Sequence, residues 1–535
     1  MPIPEIQQQS QQEFLEQQFR GPFGGIQSEM PPDAYEKIGF ADVLNIFSRK
    51  SMMQSAVGWQ SLLAAPNLET NPVLGAYDFF DATGTRHQVV FYQDALWEWT
   101  LDSWNSVPLI APLSGSASDY FAFEDLNYLM AFTNGVDTIQ LWDGLHTTTA
   151  PASAPSSLYL MELASHLIAG YITNGPGAPF PSMYKYSGAG APDDWTSFDS
   201  GTFNLANKLG PIRGLGKVQG IGYSVHHFGL NQIYPTGNAA LPFYNFGVAS
   251  QGKGCPYPRG VAFWGDESIF WPGDNDIYMF DGSNIIPIGS RKLQGGAQVG
   301  ARSRIMAELK TSNNNSVYGA VSSVISGNDF NAYWLVIPNG STWIYNIDEG
   351  SWTRRVWSGK TPSVVSRFYN PNVVTWQDLI GSWSAQTWDW DSLPVGQADA
   401  WFVGFTDGTP GLIDYSQPCE GPITIASGNM PFQDRRHDKF IKGMRMVFTD
   451  TGPFTVTFTF TNESKQQEQY TITWSGSGSN NTFQVTVPFK ISGMWFSYII
   501  TGDPGTNISV VELTPVYDIA GENKTLDNLV IAPIT

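Results

Sequence analysis

A short apolar and aromatic run ending in an acid or a small turn residue returns along this chain: LWEWTLD at 96–102, IQLWDG at 139–144, MYKYSG at 183–188, IYMFDG at 277–282 and WIYNID at 343–348. Each run closes a hairpin-like stretch. In RHQVVFYQDALWEWTLD (86–102) two runs flank a break at Gln93-Asp94, and Leu96, Glu98 and Thr100 alternate with Trp97, Trp99 and Leu101, the period-2 pattern of a strand. In NYLMAFTNGVDTIQLWDG (127–144) the pair Asn134-Gly135 suits the tight turn. Taking Trp97, Trp142, Tyr184, Tyr234, Tyr278, Tyr345 and Ile413 as equivalent points gives spacings of 45, 42, 50, 44, 67 and 68. Four are close to one period, and the longer two leave room for inserted loops, one of them near 370–395.

A repeat of this length, with two strong strands and room for two weaker ones, matches a β-propeller blade. A small sheet that is apolar on both faces must stack on its like, and radial closure leaves only short edges. The expectation is an all-β chain: a β-propeller of about seven or eight blades plus a C-terminal β-sandwich-like region. Trp97, Trp142, Tyr184, Tyr234, Tyr278 and Tyr345 are the candidates for packing between blades. Composition agrees, with 54 Gly, 35 Pro and 14% aromatic residues, a mixture suited to short strands and turns.

The domain plan reads as an N-terminal arm over 1–22, a propeller over 23–437, and a sandwich over 438–535 whose strands are available to close the propeller. The arm is Gln- and Glu-rich with Ile6, Phe14, Leu15 and Phe19 as its large apolar residues. That is too little to fold alone, and it reads equally as a frayed end or as an arm lying on a neighbouring subunit. From 438 onward, stretches such as GPFTVTFTFTNES and NTFQVTVPFKISG alternate almost strictly. No basic run followed by an apolar stretch opens the chain, and no window approaches the roughly 18 apolar residues of a membrane span. The expectation is a protein without stable membrane insertion.

Chemistry-bearing motifs are sparse. Cys255 and Cys419 have neither disulfide-framework nor metal spacing and read as buried thiols. His226 and His227 are adjacent, so on a strand they face opposite sides and cannot share a metal. Asp94, Asp137, Glu267, Asp274 and Asp276 read as turn and surface acids. The expectation is that the chain is not an enzyme, with no catalytic residue, cofactor or metal ligand assigned. The net charge of −20 disfavours a broad grip on a phosphate backbone and suits a surface past which DNA slides. Basic residues gather in islands at 49–53, 211–220, 288–304 and 433–445, placed for subunit contacts, for phosphates at a constriction, or simply in solvated loops. The competing reading is a propeller that binds or cleaves polysaccharide, with Trp383, Trp388 and Trp390 stacking on sugars, or an adhesin.

The string GPIRGLGKVQGIGYSVHHFGLNQIYPTG, followed by GCPYPRGVAFWGDESIFWPGDNDIYMFDGSNIIPIGSRKL, resembles the tail nozzle, or tail-tube, β-propeller proteins of short-tailed bacteriophages, which are related to packaged-DNA stabilisation proteins. The opening FGGIQSEMPPDAYEKIGFADVLNIFSRKSMMQSAVGWQSL is similar to that family's opening, although SRKSMM stands where a Gly is expected after the basic pair. The likeness spans about 23–415. It implies a structural virion protein of the tail, assembled in the host bacterial cytoplasm. Its copies would form a ring, typically a homohexamer, below the portal and adaptor ring, with tail fibres or spikes as further partners. Double-stranded DNA would pass through the lumen without sequence readout, and loops would retain the genome until ejection. Channel-lining and gate residues stay unassigned.

Overall fold

The computed structural model describes residues 15–16, 19–20, 23–29, 39–49, 51–62, 71–100, 103–205, 209–292, 298–322, 330–338, 341–369, 399–430, 437–476, 481–519 and 531–533. The expected insertion near 370–395, with Trp383, Trp388 and Trp390, lies outside them. Among the described residues the only α-helix is Arg302–Thr311, and no helix is long and apolar enough to cross a membrane. Two units divide the chain, one of residues 57–417 and one of residues 1–56 with 418–535.

The described part of the 57–417 unit is a seven-bladed propeller. Blades 1 to 6 occupy 75–106, 122–142, 157–204, 212–251, 262–287 and 318–355, each an antiparallel meander. Blade 7 combines Pro362–Tyr369, Asp399–Phe405 and Pro410–Pro418 with Val57–Ser61, which adds on as the fourth strand. The first strands of successive blades touch in order, and the first strand of blade 7 touches that of blade 1. That closes the ring. The closing strand therefore comes from the N-terminal side of the propeller, and Trp59 on it packs against Phe405 of blade 7 at 4.7 Å between ring centroids.

Second strands such as SIFWP (Ser268–Pro272) and AYWLV (Ala332–Val336) are apolar almost without break and buried at all five positions. They lie between two neighbouring blades, so both faces must be apolar. The recurring phrase is the third strand of each blade, and all seven equivalent points fall on third strands. Its terminal acid or amide turns the chain. Asp143 accepts from the backbone N–H of Leu145 and His146 (3.0 and 2.8 Å), Asp281 from Ser283 and Asn284 (2.8 and 2.6 Å), and Asn346 from Asp348 and Glu349 (2.9 and 3.0 Å). These are Asx-turns, and Gly282 follows Asp281 at φ 90°, where a glycine has no Cβ penalty.

The second unit is a sandwich of two sheets. One runs Ile46–Arg49, Met52–Ser55, Ser509–Ile519, Lys439–Thr449, Thr482–Gly493, Ile531–Pro533 in spatial order. The other places Phe40–Leu44, Ile423–Ser427, Phe496–Gly502, Phe454–Asn462 and Gln467–Trp474 side by side. Phe460 meets Phe489 across the layers at 4.5 Å, and Phe448 meets Phe454 at 5.0 Å. The sandwich thus begins near 418 instead of 438 and takes in 40–55, which alternation over such short pieces could not assign to one body or the other. Of the arm, Leu15–Glu16 and Phe19–Arg20 pair antiparallel with Ser509–Ile519. Arg445, on the neighbouring strand Lys439–Thr449, grips Glu16 through two hydrogen bonds of 2.9 and 2.6 Å.

Candidate functional site

The six phrase aromatics take different positions. Trp142 (3% exposed) joins Phe79 and Phe91 of blade 1 with Met130 and Phe132 of its own blade. Tyr184 (0% exposed) sits with Ile212, Leu215 and Ile233 of blade 4. Trp97 lies half-buried against the cluster that joins blade 7 to blade 1. Tyr345 is half-buried and packs on Trp352 of its own blade at 5.0 Å. Tyr278 lies beside Trp271, also of its own blade, at 6.0 Å. Tyr234 departs from the expectation outright: it is 38% exposed, paired across the sheet with the exposed Tyr244. In that strand Ile233 fills the interface instead, and a shift of one residue exchanges the two faces.

The centre of the propeller is occupied. The segment 255–260 leaves blade 4 for blade 5 and crosses to other blades on the way. Tyr159 of blade 3 donates to Pro258 O (2.7 Å), Tyr333 of blade 6 donates to Gly260 O (3.2 Å), and Arg259 Nη2 donates to Ser363 O of blade 7 (3.0 Å). A segment that reaches blades 3, 6 and 7 from the gap between 4 and 5 has to run through the middle of the ring. The Arg259 guanidinium lies over the rings of Tyr120, just before blade 2, and of Tyr318 in blade 6, the latter at 4.5 Å. With all three groups half-buried, such cation–π contacts are worth about 1–2 kcal/mol. Nearer the C-terminal ends of the first strands, Tyr77 donates to Asp125 (2.7 Å) and Lys217 pairs with Glu162. Burial pushes the Glu124 carboxyl there up to about 7, with Asp125 adding to the effect and Lys217 opposing it.

A Ser–His arrangement joins Ser224 and His226, and it is sealed. Tyr184 Oη bonds Ser224 Oγ, His226 Nε2 lies 3.0 Å from Ser224 Oγ and 3.1 Å from Tyr184 Oη, and its Nδ1 donates to Gly210 O at 2.8 Å. Tyr184, Ser224 and His226 are all 0% exposed, so the group locks blade 3 to blade 4 and is closed to any substrate. Burial holds the His226 imidazole down at about 4 although the Gly210 carbonyl opposes it. The sign follows: this neutral ring favours folding above the unfolded value near 6.5, and that contribution is lost as pH falls through about 4. Between those limits the parent should lose roughly 3 kcal/mol of unfolding free energy from this residue. The difference in urea stability between the parent and His226→Gln should shrink over that window, and a pH-independent difference would refute the assignment.

The basic island at 288–304 builds the other concavity. Past the fourth strand of blade 5 (Ile285–Pro287), a hairpin pairs Ser290–Lys292 with Gln298–Gly300, and the helix begins at Arg302. Asp276 anchors this piece, its two oxygens accepting from Ile277 N (2.8 Å) and Ser290 Oγ (2.6 Å). A Cβ on Gly289 would stand 2.3 Å from the Asp276 carboxylate, so only glycine lets the hairpin lie so close. The result is a cavity of about 480 Å³ walled by Lys253, Arg291, Arg302, Tyr278, Asn275 and the rim residues Ile286 and Pro287. Cys255 and Cys419 are buried and unbridged, and among the described residues no three His, Cys, Asp or Glu side chains could hold a metal ion. Sequence reasoning noted the basic island but not Lys253 or Arg259, which sit in different turns and meet their partners only in three dimensions. In the sandwich, Trp474 borders a shallower cavity of about 320 Å³, but its ring packs on Phe448 and Phe483 and its N–H goes to Asp450 (3.1 Å).

No protein-family model matches the chain, and no curated protein sequence matches it. Among solved structures, the chain is similar to BBS1N in complex with ARL6DN, soaked with mercury, at 9% identity and TM-score 0.38, covering 67% of this chain and 97% of that one. The lead-soaked form of the same complex gives 9% and 0.38, covering 68% and 99%. The computationally designed Ika8 protein gives 10% and 0.33, covering 70% and 96%. Likenesses of that size say nothing about activity, and the propeller rests on the order and closure of its own sheets.

Proposed function

We propose that the chain is a non-enzymatic structural protein of a short-tailed phage tail, which assembles with copies of itself into a ring nozzle below the portal and adaptor and conducts the genome. What carries the reading is the stretch 210–293: the strings that resemble the nozzle family form blades 4 and 5, consecutive members of one closed ring. Two properties support it. Arg259 and its tyrosines fill the propeller's own axis, so a passage wide enough for a duplex has to lie between copies, as a ring provides. The net charge of −20 leaves such a passage weakly repulsive to DNA, which favours sliding over retention by contact. A fold alone never fixes a function, so the test is assembly. Negative-stain microscopy and mass measurement of the purified protein, with immunolabelling of virions, should reveal closed rings at the tail. A strictly monomeric protein absent from virions would sink the reading.

A further inference from the structure

We infer that the edge strand Gln467–Trp474 of the sandwich is a docking surface for a second copy of this chain, the two strands running antiparallel about a two-fold axis at Tyr470. Such a pair is closed at two copies, so the inference stands apart from the ring of the nozzle reading and depends only on this edge.

The strand ends its sheet, paired on one side with Phe454–Asn462 and with no described strand on the other. Natural edges are kept from pairing by being short, bulged, or marked with lysine or proline. Other outer edges among the described residues follow that rule. Ser103–Ser106, Gly201–Asn204 and Val57–Ser61 run four, four and five residues, Ile285–Pro287 and Ile531–Pro533 end in proline after three, and Phe243–Gln251 slips register twice. Gln467–Trp474 runs eight residues, QEQYTITW, without a register shift, a lysine or a proline. Its single charge, Glu468, is turned back onto its own sandwich, where it accepts from Lys490 N (2.5 Å).

Asn462 N donates to Gln466 O (3.1 Å), so the couples that exchange backbone hydrogen bonds further along are Phe460 with Glu468, Phe458 with Tyr470 and Val456 with Ile472. The N–H and C=O of Gln467, Gln469, Thr471 and Thr473 consequently point to the open side, and these four residues are exposed. A second copy with its Tyr470 opposite this one brings Gln469 against the partner's Thr471 and Gln467 against the partner's Thr473, so each of those backbone groups finds a mate. Amide then meets hydroxyl on the outer face. On the inner face tyrosine meets tyrosine and Glu468 meets the partner's Ile472, so no carboxylate stands opposite another. Charge favours this place too, because two copies at −20 each repel, whereas Thr424, Thr501, Thr457 and Thr471 form an uncharged row across the four strands that end at this edge.

Cross-linking of the full chain reads this contact alone. In Tyr470→Cys, mild oxidation should join two chains at position 470, since couples without backbone bonds bring their Cα atoms to about 4.5 Å, within disulfide reach, and Cys255 and Cys419 are buried. Thr459→Cys, on the adjoining strand, should not link. Adding Gln469→Lys/Thr471→Lys to Tyr470→Cys sets lysine opposite lysine twice and should slow the linking roughly 10-fold. An equimolar mixture with the Gln469→Glu/Thr471→Glu form of Tyr470→Cys should restore the rate. An unchanged melting temperature verifies each fold, and Gln469→Cys/Thr471→Cys, both on the exposed face, repeats the link without touching the inner one. Chains that stay unlinked in both cysteine variants, a link formed equally by Thr459→Cys, or a rate that the lysines leave unchanged overturns the docking surface whatever ring the protein forms.

Discussion

Tyr184→Ala should cost the fold about 3–5 kcal/mol, while Tyr234→Ala, at the matching point of the same repeated phrase, should cost less than about 1 kcal/mol. Tyr184 is 0% exposed, packed among Ile212, Leu215 and Ile233, and its hydroxyl holds Ser224 and His226. Truncation removes an aromatic ring from a closed interface and leaves two buried polar groups short of a partner. Tyr234 is 38% exposed and lies beside Tyr244 on the outer strands of blade 4, so alanine there opens no cavity. Urea unfolding of the two variants beside the parent measures both costs. Equal losses would mean that blades 3 and 4 do not meet in the register described. Tyr184→Phe should fall between the two at about 1 kcal/mol, since the ring stays and only the hydrogen bonds go.

The second large effect belongs to the axis. Arg259→Ala should lower stability by about 2–4 kcal/mol, because it removes a guanidinium held between two tyrosine faces and the bond to Ser363 O. Arg259→Lys should recover little of it, since an ammonium has no planar face to lay on Tyr120 and Tyr318 and is more strongly hydrated. Limited proteolysis should then cut within 255–260, a segment that in the parent is bonded to blades 3, 6 and 7. If Arg259→Ala unfolds within about 0.5 kcal/mol of the parent and resists the protease equally, this residue does not hold the centre of the ring.

Much of the frame was legible in the chain. The hairpin at 127–144 turns at Asn134-Gly135 as its composition predicts, with the Asn134 carboxamide accepting from Val136 N and Asp137 N at 2.9 and 2.8 Å. The seven phrase positions all mark third strands because period-2 alternation and Asx-turn chemistry act over neighbouring residues. Boundaries between bodies were less legible. Residues 40–55 and 423–427 look like propeller strands in isolation, yet they pair with partners hundreds of positions away, as Val43 does with Ile425 and Met53 with Val510. Nothing local distinguishes a strand of one sheet from a strand of another.

Local pattern was enough for the class of fold, the length of the repeat and the chemistry of its turns, since those depend on which residues alternate and which tolerate a turn. Three-dimensional packing decided which face each strand buries. Ile233 and Tyr234 are both apolar enough to fill an interface, and only the neighbouring blade selects Ile233. It decided that Val57–Ser61 closes the ring, that Arg259 fills its centre, and that Lys253, Arg291 and Arg302 surround one cavity. Those groupings join residues that are far apart along the chain, and their energies come from desolvation and charge proximity, which exist only once the ring has closed.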